Sequence, residues 1–226
     1  MMRFFSLARY FFFLASKWNI GIAWHILIEE IRGERRYKLK TTGFDELKSL
    51  AAKGIDTSHA TIYMPASYDM LELVFSALKD QQLQHFVDLG CGRGRAMAVA
   101  AHFGFTKITG IEFSEQLSDQ ATKNLSSTGK RIPGLQWNVI NADVRSYNIP
   151  NDADCIFIFN PFDEVVLTRV IHNIERSLRS NPRNIHVIYL TPHYRHIFDM
   201  NGYKIVKQIR IMEFLDGIIY SKGFTA

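Results

Sequence analysis

The chain has 226 residues, 47% hydrophobic and 22% charged, with two cysteines and a formal net charge of +5. That length allows one sizeable α/β core and is too short for two ordinary domains joined by a linker. The composition excludes a disordered chain, and two cysteines at no metal-ligand spacing exclude a disulfide framework and predict no metal site; a reduced, cytoplasmic compartment is the simplest expectation.

The charge is not spread evenly. Residues 1–40 hold eight Lys and Arg against three acids, which accounts for the whole excess, so residues 41–226 are balanced. A phosphate-tracking groove across the body is therefore poorly supported. The basic segment is an N-terminal arm, "MMRFFSLARYFFFLASKWNIGIAWHILIEEIRGERRYK", apolar from Tyr10 to Ile28 over about the length that crosses a bilayer. Lys17 lies near its middle, at a cost of roughly 2.5–3.5 kcal/mol for a central lysine. No small-residue cleavage site follows a clean apolar stretch, so a removed signal peptide is not expected. Three placements stay open for a helical arm over 1–40: packed on its own domain or a second copy, lying on a membrane surface, or spanning the membrane. Aromatics mixed with Arg and Lys and followed by "RGERRYKLK" suit the surface placement.

Beyond the arm, residues 41–226 read as one domain. "TTGFDELKSLAAKG" (41–54) predicts a short helix ended by Gly54, and "SYDMLELVFSALKD" (67–80) has the i, i+3, i+4 spacing of an amphipathic helix. An alternation follows: strand at 85–89, helix over 95–103 closed by Gly104, strand at 107–112, and a helix over 114–127 with Ser114 as N-cap. Strands at 135–141 and 155–159, a helix over 163–180, a strand at 185–190 and a short helix over 193–200 continue it. This order predicts right-handed βαβ units, hence an α/β, doubly wound, mostly parallel sheet with helices on both faces. The tail places two apolar runs around Leu215-Asp216-Gly217, and Asp-Gly is a hairpin signal, so an antiparallel pair should complete seven strands.

The first strand runs into "HFVDLGCGRGRAMAVA" (85–100), with glycines at 90, 92 and 94. Glycines between a strand and a helix let the backbone approach a ligand and expose the first N–H groups of the helix. A dinucleotide fingerprint needs Gly-x-Gly-x-x-Gly, but Arg95 occupies its third glycine position, which argues against a nicotinamide-dependent oxidoreductase.

"VDLGCGRGR" resembles the first motif of the class I, seven-strand S-adenosylmethionine-dependent methyltransferases, and the likeness extends over about residues 60–222. The resemblance implies a Rossmann-like methyltransferase fold with S-adenosyl-L-methionine as cofactor. It implies that Asp88 and the loop Gly90, Cys91, Gly92 and Gly94 hold the amino-acid end. Glu112, 22 residues past Gly90, would take the ribose hydroxyls. Asp143 and Val144, in "NADV" after the third strand, would flank the adenine. "NPF" (160–162) is similar to the Asn/Asp-Pro-Pro-Phe/Tyr motif of amino-group methyltransferases, with one proline instead of two. By that likeness Asn160, Pro161 and Phe162 would be catalytic, with Asn160 also near the cofactor, and the acceptor an amino nitrogen. "YMPASYD" (63–69) is similar to a pattern in the non-SET protein-lysine methyltransferases of this fold and adds Tyr63 to the cofactor-binding candidates. The acceptor itself, whether protein, nucleic acid or small molecule, is not encoded in these motifs. The other open reading is a chain that binds the cofactor as a sensor or a membrane-recruited scaffold. Arg93 and Arg95 are expected at the surface without a role.

Overall fold

"HFVDL" sets the apolar Phe86, Val87 and Leu89 around two polar residues, His85 and Asp88, and becomes the fully buried strand β1 (His85–Leu89) at the centre of a seven-stranded sheet. A run buried on both faces is what a parallel sheet covered by helices requires. The computed structural model describes residues 11, 12, 15, 20–42, 65–159, 162–211 and 215–223. The helix expected over 41–54 and its closing Gly54 lie outside them, apart from residues 41 and 42, as do Tyr63, Asn160 and Pro161.

In chain order the elements are α1 (Ile20–Tyr37), α2 (Tyr68–Leu78), a single 3₁₀ turn (Lys79–Gln81), β1, α3 (Arg95–His102), β2 (Lys107–Glu112), α4 (Glu115–Gly129), β3 (Gln136–Asn141) and β4 (Cys155–Phe159). Then come α5 (Glu164–Ser180), β5 (Ile185–Leu190), α6 (Arg195–Met200), β6 (Lys204–Ile211) and β7 (Leu215–Lys222). The sheet order is β3-β2-β1-β4-β5-β7-β6, parallel except for β7, which runs antiparallel to both β5 and β6. This is the doubly wound, Rossmann-like sheet that the alternation predicts. Strand order reverses between β1 and β4, which makes the crevice at their C-terminal ends the expected ligand site.

Two apolar layers sandwich the sheet. Phe86, Ile108 and Phe157 pack on one face with Tyr68, Leu71 and Phe75 of α2, Met97 of α3 and Leu125 of α4. Val87, Ile156 and Val187 pack on the other with Val166, Val170, Ile174 and Leu178 of α5. The α5 residues recur at helical spacing, and burying each such side chain contributes roughly 1.5–3 kcal/mol. Ser114 is the N-cap expected for α4 and accepts from the Leu117 N–H at 3.4 Å; at the start of α5, Asp163 accepts from the Val166 N–H at 3.0 Å, a cap that the sequence reading does not name.

The C-terminal pair forms as expected, but its turn is displaced. Asp216 and Gly217 are not the hairpin tip: they lie inside β7, opposite Arg210 and Ile209 of β6, and residues 212–214 join the strands. A Cβ at Gly217 would sit 2.6 Å from Leu190 Cδ2 on β5, the movable end of that side chain.

Within the arm, α1 carries Glu30, Gly33, Glu34 and Tyr37 inward, and the chain continues to a buried Leu39 and Thr41. The Tyr37 ring stacks on Tyr68 of α2 at 5.6 Å. A Cβ on Gly33 would run into the Tyr68 ring, so glycine is needed where the two helices touch. No helix among the described residues is long and apolar enough to cross a membrane.

Candidate functional site

β1 alternates sides as a strand must. Phe86 faces the layer formed by α2 and α3, Val87 and Leu89 face the α5 layer, and Asp88 therefore points toward the side of the glycine loop. The loop itself needs its glycines: Gly90, Gly92 and Gly94 have φ of 85°, 53° and 75°, a region that other residues enter only with strain. At Gly94 a side chain would also meet Leu125 Cδ2 at 2.7 Å, so α4 fixes how tightly this turn must close.

The loop folds back over β2. Gly90 and Cys91 N–H groups both donate to the Ile111 carbonyl at 2.9 Å, and Gly94 N–H donates to the Cys91 carbonyl at 2.8 Å. Glu112, at the end of β2, accepts from Gly92 N–H through Oε2 at 2.9 Å and from Ser114 N–H through Oε1 at 2.8 Å. Asn141 at the end of β3 donates through Nδ2 to the carbonyls of Glu112 and Phe113, both at 2.9 Å, and so fixes the turn that follows Glu112.

Two buried carboxylates thus share one crevice. Asp88 is 2% exposed and Glu112 8% exposed. Burial raises the Asp88 carboxyl well above its ordinary value, with the neighbouring Glu112 adding to the rise. Burial likewise raises Glu112, opposed by the N–H groups that it accepts from. Among the described residues no donor reaches the Asp88 carboxylate, whereas each Glu112 oxygen keeps a lone pair beyond its backbone bond. A buried anion without a partner is costly, and a cationic ligand relieves that cost. Helix α3 begins at Gly94 without a side-chain cap. Its first-turn N–H groups, which lack intrahelical acceptors, make an anion-facing counterpart to the two carboxylates. The crevice therefore suits a zwitterion that also carries a hydroxylated sugar.

The other candidates divide. Asp143 follows β3 with its side chain 36% exposed, and its carboxylate is paired to Arg145 at 2.6 Å and accepts from the Arg145 backbone N–H at 2.8 Å. The Arg145 hydrogen bond, more than any other contact, holds it below the usual carboxylate range. Val144 turns its side chain into the core layer under α5, and its carbonyl accepts from Asn173 Nδ2 at 3.2 Å. The Cys91 side chain is also a packing group, buried where a Cβ on Gly110 would meet its Sγ at 2.8 Å. Burial pushes its thiol up, so it is a poor nucleophile. Only the backbones of Cys91 and Val144 remain available to a ligand. Phe162 is half-buried against the α5 layer. Tyr68 is a core residue. His193 is exposed and Tyr194 half-buried past β5.

The surface reading of the loop arginines needs correction. Arg95, the first residue of α3, is 3% exposed. Its guanidinium grips Glu30 of α1 through two bonds of 2.6 and 2.5 Å, donates to Thr41 Oγ1 at 2.8 Å and to the Ala66 carbonyl at 2.9 Å, and lies 4.1 Å over the Tyr68 ring. Arg93 is half-buried and donates to the Thr42 carbonyl at 3.1 Å. Thr41 and Thr42 are in turn held by Glu34, which accepts from their N–H groups at 2.7 and 2.8 Å. The arm is thereby tied to the glycine loop from both sides of Gly94.

Comparisons with known proteins place this geometry. Residues 86–181 match the profile of a family described as "Methyltransferase domain". The methyltransferase domain of bacterial CtHen1 shares the fold with a TM-score of 0.54 at 19% identity, covering 69% of this chain and 97% of that one. A putative methyltransferase, YhhF of Escherichia coli, superposes with a TM-score of 0.53 at 18% identity over 73% of this chain and 93% of that one. Magnesium protoporphyrin IX methyltransferase of Synechocystis PCC 6803, solved with S-adenosylmethionine bound, gives 0.51 at 17% identity over 68% and 77%. A search of curated protein sequences finds no match.

Proposed function

We propose that the chain is an S-adenosylmethionine-dependent methyltransferase that methylates an amino nitrogen of a protein lysine or a nucleobase; the match of residues 86–181 to a methyltransferase-domain family and the seven-stranded sheet support this reading. The observation that carries the cofactor site is the pair of buried carboxylates beside the glycine loop, Asp88 lacking any donor among the described residues. In this reading Asp88 takes the ammonium end and Glu112 the two ribose hydroxyls. The loop at Gly90, Gly92 and Gly94 and the start of α3 take the carboxylate, and Asp143 the adenine amino group. When bound, the cofactor supplies a methyl group made electrophilic by a sulfonium.

The residues of the chain then act by alignment. Support for nitrogen comes from Asn160-Pro161-Phe162 directly after β4. The Asn160 side-chain oxygen and the Pro161 carbonyl are suited to accept N–H bonds from an amine and aim its lone pair. Phe162 offers a flat apolar face to the acceptor. Such positioning can supply up to roughly 7–11 kcal/mol of the barrier reduction.

The test is transfer from methyl-labelled S-adenosylmethionine to fractionated protein and RNA. Acid hydrolysis is expected to return the label as methyl-lysine or a methylated base, and Phe162→Ala is expected to lower kcat roughly tenfold or more while leaving cofactor affinity unchanged. Label recovered only as a base-labile ester or an O-methyl group would refute the nitrogen reading.

A further inference from the structure

We propose that α1 is a membrane-docking helix that holds the domain against an anionic lipid surface. Its inward face, with Ala23, Glu30, Gly33, Glu34 and Tyr37, is occupied by the domain and by the preceding residues of the arm. Its outward face is not polar. Ile20, Trp24 and Ile28 recur every four residues and so form one stripe. They are 72%, 58% and 47% exposed, large values for side chains of this kind. Phe12, 69% exposed, lies nearby: its ring is 5.7 Å from that of Phe11, which meets the Trp24 ring edge-on at 6.0 Å.

The same face ends in cations. Arg35 lies two turns beyond Ile28 in line with the stripe, and Lys38 and Lys40 follow just past the helix. All three are exposed and form no ion pair among the described residues, unlike Arg32 and Arg36, which are bonded to Glu72 of α2. An apolar stripe with tryptophan, continued by unpaired cations, matches the boundary between headgroups and acyl chains of an anionic leaflet. The charge bears on the choice of occupant. The chain's entire positive excess lies in residues 1–40, and like-charged faces repel when a second copy approaches. A surface position also agrees with the absence, among the described residues, of a helix able to span.

The test is co-sedimentation of the full chain with phosphatidylcholine vesicles containing about a quarter phosphatidylserine, at low salt, against vesicles of phosphatidylcholine alone. The chain is expected to pellet with the anionic vesicles and to be released by high salt. Substituting Arg35→Gln, Lys38→Gln and Lys40→Gln together should weaken partitioning roughly 100-fold, taking about 1 kcal/mol for each cation near the surface. Trp24→Glu with Ile28→Glu should weaken it roughly tenfold or more with an unchanged thermal melt, since both side chains are exposed. If the apolar variant melts early, the charge variant decides alone. No pelleting of the full chain overturns the proposal. So does equal binding to neutral vesicles, or binding that survives both sets of substitutions. A dimer in sedimentation velocity that Trp24→Glu dissociates, without vesicle binding, overturns it in favour of a second copy.

Discussion

Glu112→Gln is expected to abolish usable cofactor binding, weakening S-adenosylmethionine by roughly 100-fold or more. The carboxylate has two tasks, and glutamine can do only part of each. It presents one acceptor oxygen where Gly92 N–H and Ser114 N–H need two, so one buried donor loses its partner at a cost of roughly 1–3 kcal/mol. It also replaces charge-assisted bonds to the ribose hydroxyls with weaker neutral ones. One effect runs the other way: removing a buried negative charge beside Asp88 relieves repulsion. That relief acts mainly on the free protein, so the loss is expected in affinity more than in melting temperature. Asp143→Asn is the control, because its carboxylate is partly exposed and already paired with Arg145. It should cost less than Glu112→Gln in the same calorimetric titration. Equal effects at the two positions would contradict the assignment of the ribose to Glu112.

The second large effect is on stability. Glu30→Gln should destabilise the fold by about 3 kcal/mol, because it takes from the almost wholly buried Arg95 guanidinium the carboxylate that accepts two of its bonds and leaves the charge of Glu34 to balance it only in part. For a domain of this size that is a fall in Tm on the order of 10 °C. Replacing both partners, Glu30→Met with Arg95→Leu, should recover much of the loss, since apolar side chains of similar volume often substitute for a buried ion pair at little cost. Because Arg95 opens α3 directly after the glycine loop, the single variant should also bind cofactor more weakly, whereas the double variant separates packing from charge. Calorimetric melts of the three chains settle the point, and a change in Tm under about 2 °C for Glu30→Gln would show that the pair contributes nothing.

That ion pair also marks where sequence reasoning ends. The alternation of apolar runs with helical patterns shows the central strands and α2–α5, because each of those signals is local. Glu112 is singled out by the resemblance and not by a local pattern, and the structure sets its carboxylate against the glycine loop. Arg95 is not legible, because nothing local distinguishes it from an exposed helix arginine, and its partner lies 65 residues away on a segment that reads as a separate arm. Glycine carries a comparable ambiguity. Asp216-Gly217 has the composition of a hairpin tip, yet both residues lie inside β7, paired with Arg210 and Ile209 of β6. Cys91 and Val144 show a third limit: the resemblance makes them cofactor-binding candidates, and the structure turns both side chains into the core.

The central claim is that the crevice at β1 and β2 holds a cationic, ribose-bearing ligand on two buried carboxylates. Its most direct test is calorimetric titration with S-adenosylhomocysteine in two buffers of different ionisation enthalpy, repeated across pH. The sign follows from the raised carboxyls. A ligand ammonium beside Asp88 favours its ionised form, so binding should displace a proton and tighten as pH rises through the raised value. The account predicts one-to-one binding with proton release that disappears in Asp88→Asn. Absence of binding at every pH, or proton uptake in place of release, would contradict it.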